Sequence, residues 1–166
     1  MASLVIENGL IVTMDEQRRI LKRGTVAVED GKIIGVEKAS EAKGKYKAEK
    51  VIDATGKIVM PGLICAHHHL YSTFARGMSI PGEPAKNFVE ILEKLWWKLD
   101  DLLTKEDIYY SSLVPLIECV RNGTTTIIDH HESQSYQSGS LDEIARAIKE
   151  VGIRASLCLG TSDRYG

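Results

Sequence analysis

Residues 58–69 read IVMPGLICAHHH, an apolar run that passes straight into three histidines. On a β-strand, residues two apart share a face, so His67 and His69 point one way and His68 the other. Two imidazoles on one side of a strand end can converge on one ion at Zn–N distances of about 2.0–2.1 Å. The plain alternative is that the three histidines are polar groups in solvent at the end of a strand. Against it stands the apolar run behind them, because ionisable groups at the end of a buried strand need a reason.

The chain on either side of this run has two grammars. Residues 1 to about 60 look all-β. LVIENGLIVTM (4–14) is apolar-rich with a turn signal at Asn8-Gly9, and GTVAVEDGKIIGVEK (24–38) has two β-rich arms around Asp30-Gly31. That dipeptide suits a type I′ hairpin turn, in which both central residues need positive φ. A lysine-rich stretch, EKASEAKGKYKAEK (37–50), reads as a solvated loop, and KVIDATGKIVMPG (50–62) as two short strands around Thr55-Gly56.

After Pro61 strands and helices alternate. Pro81, Gly82 and Pro84 mark a loop, and Asn87 with Glu90 forms a capping-box-like start to a helix. Phe88, Ile91, Leu92, Leu95, Trp96 and Leu99 fall on one face of that helix. Trp96 is expected in the core and Trp97 at the amphipathic surface. A second helix begins after Thr104 and runs to Asn122-Gly123, with Pro115 expected to kink it or remove one backbone bond. TTTIIDHH (124–131) reads as a buried β-branched strand. A third helix opens at Ser140 and Glu143 and closes at Gly152, before the strand IRASLCLG (153–160). Strands separated by helices that end in Gly give parallel βαβ units. Three such strands are less than half of a (β/α)8 barrel, which needs roughly 250 residues; a small open doubly wound sheet is the alternative.

The second strand ends as the first does, with Asp129, His130, His131 and Glu132 at its C-terminal edge, where barrel active sites lie. At least one of them is expected to face substrate or to orient a metal ligand. Tyr71, Ser72 and Arg76 follow the three histidines in HLYSTFARG (69–77), and the forked donors of an Arg there suit a carboxylate or a ring carbonyl. The substrate-facing candidates are therefore Tyr71, Arg76, His130 and His131, and the metal candidates His67 and His69.

Composition narrows the class. The 166 residues are 43% hydrophobic and 27% charged with a net charge of -2, an ordinary globular balance with no nucleic-acid footprint or basic membrane patch. The N-terminus lacks the basic start of a signal peptide, and no apolar run reaches the ~20 residues that span a bilayer. Cys65, Cys119 and Cys158 are odd in number and lie in apolar stretches, which reads as buried free thiols in a reducing, cytoplasmic compartment. No G-x-S-x-G, P-loop or G-x-G-x-x-G is present, so a nucleophile or nucleotide-loop hydrolase has little support.

Taken together, VEDGKIIGV (28–36), VIDATGKIVMPGLICAHHH (51–69), HHHLYSTFARG (67–77), LEKLWWKLDDLLTKEDIYYSSL (92–113) and GTTTIIDHHES (123–133) resemble the amidohydrolase superfamily. The likeness is to its cytosine deaminase/triazine hydrolase branch, most of all to SsnA-type aminohydrolases, with similar wording in 8-oxoguanine deaminase-like members. The resemblance implies an α/β fold: a small β-sandwich-like region, 1–60, as part of a composite β domain, then 61–166 as the first three strands and intervening helices of a (β/α)8 TIM barrel. It implies hydrolytic deamination of a small nitrogen heterocycle by a metal-activated water, with Zn²⁺ the favoured ion and Fe²⁺ the second, in a homo-oligomer. His67 and His69 carry over as the first-strand metal ligands.

The departures matter as much as the match. Members of that family take further histidines, a Glu acid/base and an Asp from later strands, and no His follows Glu132 in these 166 residues. Two histidines fall short of the three protein ligands usual in a catalytic zinc site. The expectation is a chain that is inactive alone, exposes apolar patches, and is completed by a missing C-terminal part or a second polypeptide. The competing reading is a binding or assembly module on the same fold start that has lost the catalytic half.

Overall fold

Asp30 and Gly31 both adopt positive φ, 49° and 73°, the requirement of a type I′ turn, and they join β2 (Ile20–Glu29) to β3 (Lys32–Lys38) as the hairpin expected. The computed structural model describes residues 1–164, and the chain divides into two units, Met1–Pro61 and Gly62–Gly166.

The first unit is one five-stranded sheet organised around β1 (Ala2–Val12). One edge of β1 pairs antiparallel with β2. Its other edge pairs in parallel with β4 (Ala48–Asp53) and then β5 (Ile58–Val59), which lie one after the other along it. Asn8-Gly9 is therefore no turn. Asn8 sits at φ 64° and the register with β2 slips on both sides of Gly9, the mark of a bulge. Asn tolerates the left-handed region locally, and partners on both edges hold the strand straight on. The lysine-rich loop contains one helical turn, α1 (Ala39–Ala42).

The second unit carries a parallel sheet of β6 (Leu63–His68), β7 (Thr124–His131) and β8 (Arg154–Leu159), in that order. A 3-10 turn, Leu70–Ala75, follows β6. Then come α2 (Phe88–Ile91), a π turn (Leu92–Trp96) and α3 (Trp97–Asp100). Asn87 caps α2 by accepting the Glu90 N–H at 3.0 Å. The wide π turn rotates the later residues away from the 3.6 period. Leu99 is consequently buried while Phe88, expected on the same apolar face, is 69% exposed.

Helix α4 (Lys105–Arg121) starts at a full capping box: Thr104 Oγ1 accepts the Asp107 N–H, and the Asp107 carboxylate accepts the Thr104 N–H. It runs as one helix through Pro115, which leaves the Ser111 carbonyl without its usual donor. Helix α5 (Ser140–Val151) is preceded by Gly139 as the cap, and the Ser140 hydroxyl instead donates to the Gln137 carbonyl, so Ser140 and Glu143 form no capping box. Ile108 and Leu116 of α4, Ile144, Ala147 and Ile148 of α5, and Ile127 of β7 form the core with Leu70, Leu99 and Leu103. Cys65 and Cys119 are half-buried and free, whereas Cys158 is exposed rather than buried, because β8 turns it to the sheet face opposite the helices. Among the described residues no helix is long and apolar enough to cross a membrane.

Ile127 fills the space between sheet and helices with no exposed surface. Ile127→Ala should lower unfolding free energy by about 2–5 kcal/mol in denaturant titrations. Lys32→Ala at the hairpin turn should change it by less than about 0.5 kcal/mol.

Candidate metal-ligand site at the strand ends

The pairing of β6 with β7 slips register twice, between Leu63 and Ile64 and again between Cys65 and His68. Cys65 lies opposite Ile127, and the next partner pair is His68 opposite Asp129, so three steps on β6 meet two on β7. That bulge re-aims the side chains at the strand end. Cys65 packs on the helix-side core with Ile127, and His68 takes the place opposite buried Asp129, with Nδ1 3.7 Å from Oδ1. His67 and His69 turn the other way. Their ring centroids are 4.9 Å apart at an interplanar angle of 86°, and the His69 ring lies 5.6 Å from that of His130.

His69 ends the strand and opens the 3-10 turn, its carbonyl accepting the Ser72 N–H at 3.0 Å. Its Nδ1 lies 2.9 Å from the His130 carbonyl oxygen. A carbonyl can only accept, so Nδ1 carries the proton and Nε2 of the neutral ring keeps its lone pair. This is the usual arrangement of a metal-ligating histidine. Two imidazoles bound tetrahedrally at ~2.0–2.1 Å place their centroids roughly 5 Å apart, which the His67–His69 pair matches. Among the described residues no group of three or more His, Cys, Asp or Glu side chains is arranged to hold a metal. The residues present fit two positions of a coordination sphere.

Alternation along β7 splits the second set of candidates. His130 lies on the open face with His69, its Nε2 3.8 Å from Glu132 Oε1. Cys158 is its register partner on β8. Gly160 makes this corner possible, since a Cβ there would stand 1.9 Å from Glu132 Oε1 and 2.9 Å from His130 Cε1. Asp129 and His131 face the other way and are fully buried. The Ser133 hydroxyl donates to the Tyr136 carbonyl at 2.8 Å and so accepts from His131 Nε2 at 3.0 Å, which leaves His131 Nδ1 as a buried lone pair. Burial pushes the His131 pKa down to about 4, against the opposing pull of the Asp129 carboxylate.

Tyr71 and His131, expected beside substrate, are thus interior residues. Tyr71 is 7% exposed, with the Trp96, His131 and His69 rings edge-on around it at 5.5–6.2 Å. Burial raises the Tyr71 phenol pKa, and the Asp100 and Glu132 carboxylates raise it further. Arg76 is exposed at the end of the 3-10 turn.

Sequence reading passed over Asp100. Its buried carboxylate pairs with Arg164 at 3.2 Å, and its carbonyl accepts the Gln134 N–H at 3.0 Å. Arg164 in turn lies 5.1 Å from the ring centroid of Trp97, which is half-buried by this contact. Asp100 thereby ties together the segments that follow β7 and β8. Burial raises its pKa, with Arg164 opposing. No spacing rule reveals such a link, because its partners are 34 and 64 residues away.

Residues 58–164 match the amidohydrolase family. The chain is 41% identical over 162 residues to the 5'-deoxyadenosine deaminase of Methanosarcina mazei, covering 96% of this chain and 34% of that protein. It is 37% identical over 139 residues to the 5-methylthioadenosine/S-adenosylhomocysteine deaminase of Desulforudis audaxviator, covering 82% of this chain and 29% of that protein. Among solved structures, a zinc-complexed variant of the atrazine chlorohydrolase of Arthrobacter aurescens superposes with a TM-score of 0.77 at 25% identity, over 93% of this chain and 35% of that one. A zinc-bound adenosine deaminase of Xanthomonas campestris does so with a TM-score of 0.78 at 24% identity, over 93% and 33%. The chain spans about a third of the length of the curated relatives it matches.

His131 is buried neutral and must charge when the protein unfolds below its ordinary pKa. Its folded pKa of about 4 lies below the ordinary 6.5 of a histidine, so the unfolded chain binds the proton first. Stability is full above pH 6.5 and falls as pH drops toward 4, by up to about 3 kcal/mol. His131→Gln should flatten that part of the stability–pH curve, measured by denaturant titration at successive pH values.

Proposed function

The chain belongs to the amidohydrolase family, and from that premise we propose that it supplies the first-strand metal ligands of a hydrolytic deaminase acting on an amino-substituted nitrogen heterocycle. The observation that carries the reading is the paired presentation of His67 and His69, with the His69 proton held on Nδ1 by the His130 carbonyl. The relatives named for deaminating 5'-deoxyadenosine and 5-methylthioadenosine or S-adenosylhomocysteine support an adenine-type ring as substrate. In the reaction, water adds at the ring carbon that bears the amine, the C–N bond breaks, and ammonia leaves with the transferred protons.

One divalent ion held by His67 and His69, Zn²⁺ before Fe²⁺, supplies when bound a water acidified enough to act near neutral pH. The remaining work falls to side chains. His69 is restricted to Nε2 as donor by its bond to the His130 carbonyl. The exposed Arg76 offers a fork of donors to a ring acceptor or carboxylate. The His130 ring, on the same face as His69, takes a place beside the substrate. Tyr71 acts from behind, as the ring against which His69 rests, and His131 backs Tyr71 in turn. The general acid/base and the remaining metal ligands come from barrel strands beyond these three, whether in a longer chain or in a second polypeptide. Ile64 and Ile128, 68% and 44% exposed, are apolar surface that those strands would cover.

The test is metal content and ammonia release from 5'-deoxyadenosine, guanine and an aminotriazine, with the barrel complete. His67→Ala and His69→Ala should each lower zinc affinity by at least about tenfold and abolish ammonia release; unchanged zinc content in both would favour a non-enzymatic binding module instead. Arg76→Ala should raise KM roughly tenfold while kcat stays close to wild type, read from steady-state kinetics.

A further inference from the structure

His69 is gripped by two consecutive residues of β7, and the metal reading uses only one of them. The His130 carbonyl takes the ring Nδ1–H at 2.9 Å. Asp129 takes the backbone, its Oδ1 accepting the Leu70 N–H at 2.7 Å. Leu70 opens the 3-10 turn directly after His69, so this bond fixes the peptide plane between the two residues. Ring and backbone of His69 are thereby set from one strand.

Asp129 has no exposed surface, and a carboxylate taken out of water is costly unless it is partnered. Among the described residues its Oδ1 accepts the Leu70 N–H and stands 3.7 Å from His68 Nδ1, too far for a hydrogen bond, and its Oδ2 has no hydrogen-bond partner. His68 is also its register partner across the strand pair, at the end of the bulge that turns His67 to the open face. A backbone N–H at the start of a helical turn has no acceptor within the turn, so Asp129 supplies what the sequence of the turn itself lacks.

We propose that Asp129 is a positioning residue that sets the aim of His67 and His69 on one ion, acting through the Leu70 N–H and His68. The assignment rests on the metal-ligand reading above. Asp129 touches neither metal nor substrate. Its effect is on where the two imidazoles stand, which is separable from the stability of the strand.

The experiment uses the protein with its barrel complete and compares Asp129→Ala with Asp129→Asn. Zinc affinity is read by competition with a chromophoric chelator, and ligand geometry by the visible bands of the Co²⁺-substituted protein. D129A should weaken zinc about 10- to 100-fold and shift the Co²⁺ bands. D129N, whose amide oxygen still accepts the Leu70 N–H, should stay within a few-fold of wild type. If D129A does not fold, Asp129→Ser, too short to span to Leu70, takes its place with the same expectation. A folded D129A or D129S with wild-type zinc affinity and unmoved Co²⁺ bands overturns the assignment, even with a lowered melting temperature. D129N as impaired as the truncated variants overturns it too. H67A and H69A separate the two levels: zinc retained in both overturns the metal reading and the assignment with it. Zinc lost from both but not from D129A overturns the assignment alone.

Discussion

One extra residue in β6, between its pairings at Cys65–Ile127 and His68–Asp129, decides which histidines meet and which are separated. Strict two-residue alternation from Cys65 would send His67 to the helix side, into the apolar core that holds Ile127. The bulge gives that side to His68, where buried Asp129 faces it, and releases His67 to stand beside His69. Parallel pairing with β7 then supplies the His130 carbonyl that sets the tautomer of His69. The chemistry of the open face is thus a consequence of strand register.

Behind the open face lies a layer of buried polar groups that an apolar core would not tolerate without partners. Asp129 Oδ1 accepts from Leu70 and faces His68, His131 Nε2 bonds Ser133, and Asp100 Oδ2 pairs with Arg164, while Asp129 Oδ2, His131 Nδ1 and Asp100 Oδ1 have no hydrogen-bond partner among the described residues. His131 remains neutral because burial outweighs the attraction of Asp129. Asp129 and Asp100 join segments far apart in the chain, whereas His131 bonds Ser133 two residues on, and together they hold the loops after the parallel strands. Such groups add little net stability when replaced by good packing. What they do here is fix loop positions, which a site assembled from several strand ends requires.

Much of this was legible in local chemistry. Asp30-Gly31 admits few conformations besides the hairpin turn it forms, and the second helix does begin after Thr104. The run into the three histidines marked a strand end and placed His67 and His69 together, though by plain alternation and without the bulge. What was not legible depended on pairing at a distance. Asn8-Gly9 reads as a turn until β2, β4 and β5 are seen to claim both edges of β1. Alternation says that His130 and His131 part company, but only the α4–α5 core reveals that His131 is the buried one. Tyr71 follows the histidines closely enough to look substrate-facing, and a 3-10 turn carries it inward against Trp96.

The proposed ligand site and the exposed apolar surface of the parallel sheet lie on one face. Ile128 and His130 alternate on the same face of β7, and His67 and His69 stand on that side too. The face that carries the proposed ligands is therefore also the face that exposes apolar side chains. On the proposed metal reading, strands that brought a third nitrogen or a carboxylate to the ion would also cover Ile64 and Ile128. Apolar burial contributes roughly 25 cal/mol per Å², and a site assembled from separate strands binds its metal only in the folded state, so binding free energy becomes folding free energy. On the proposed reading, closing a barrel and filling the coordination sphere would be coupled on this geometry, each favouring the other.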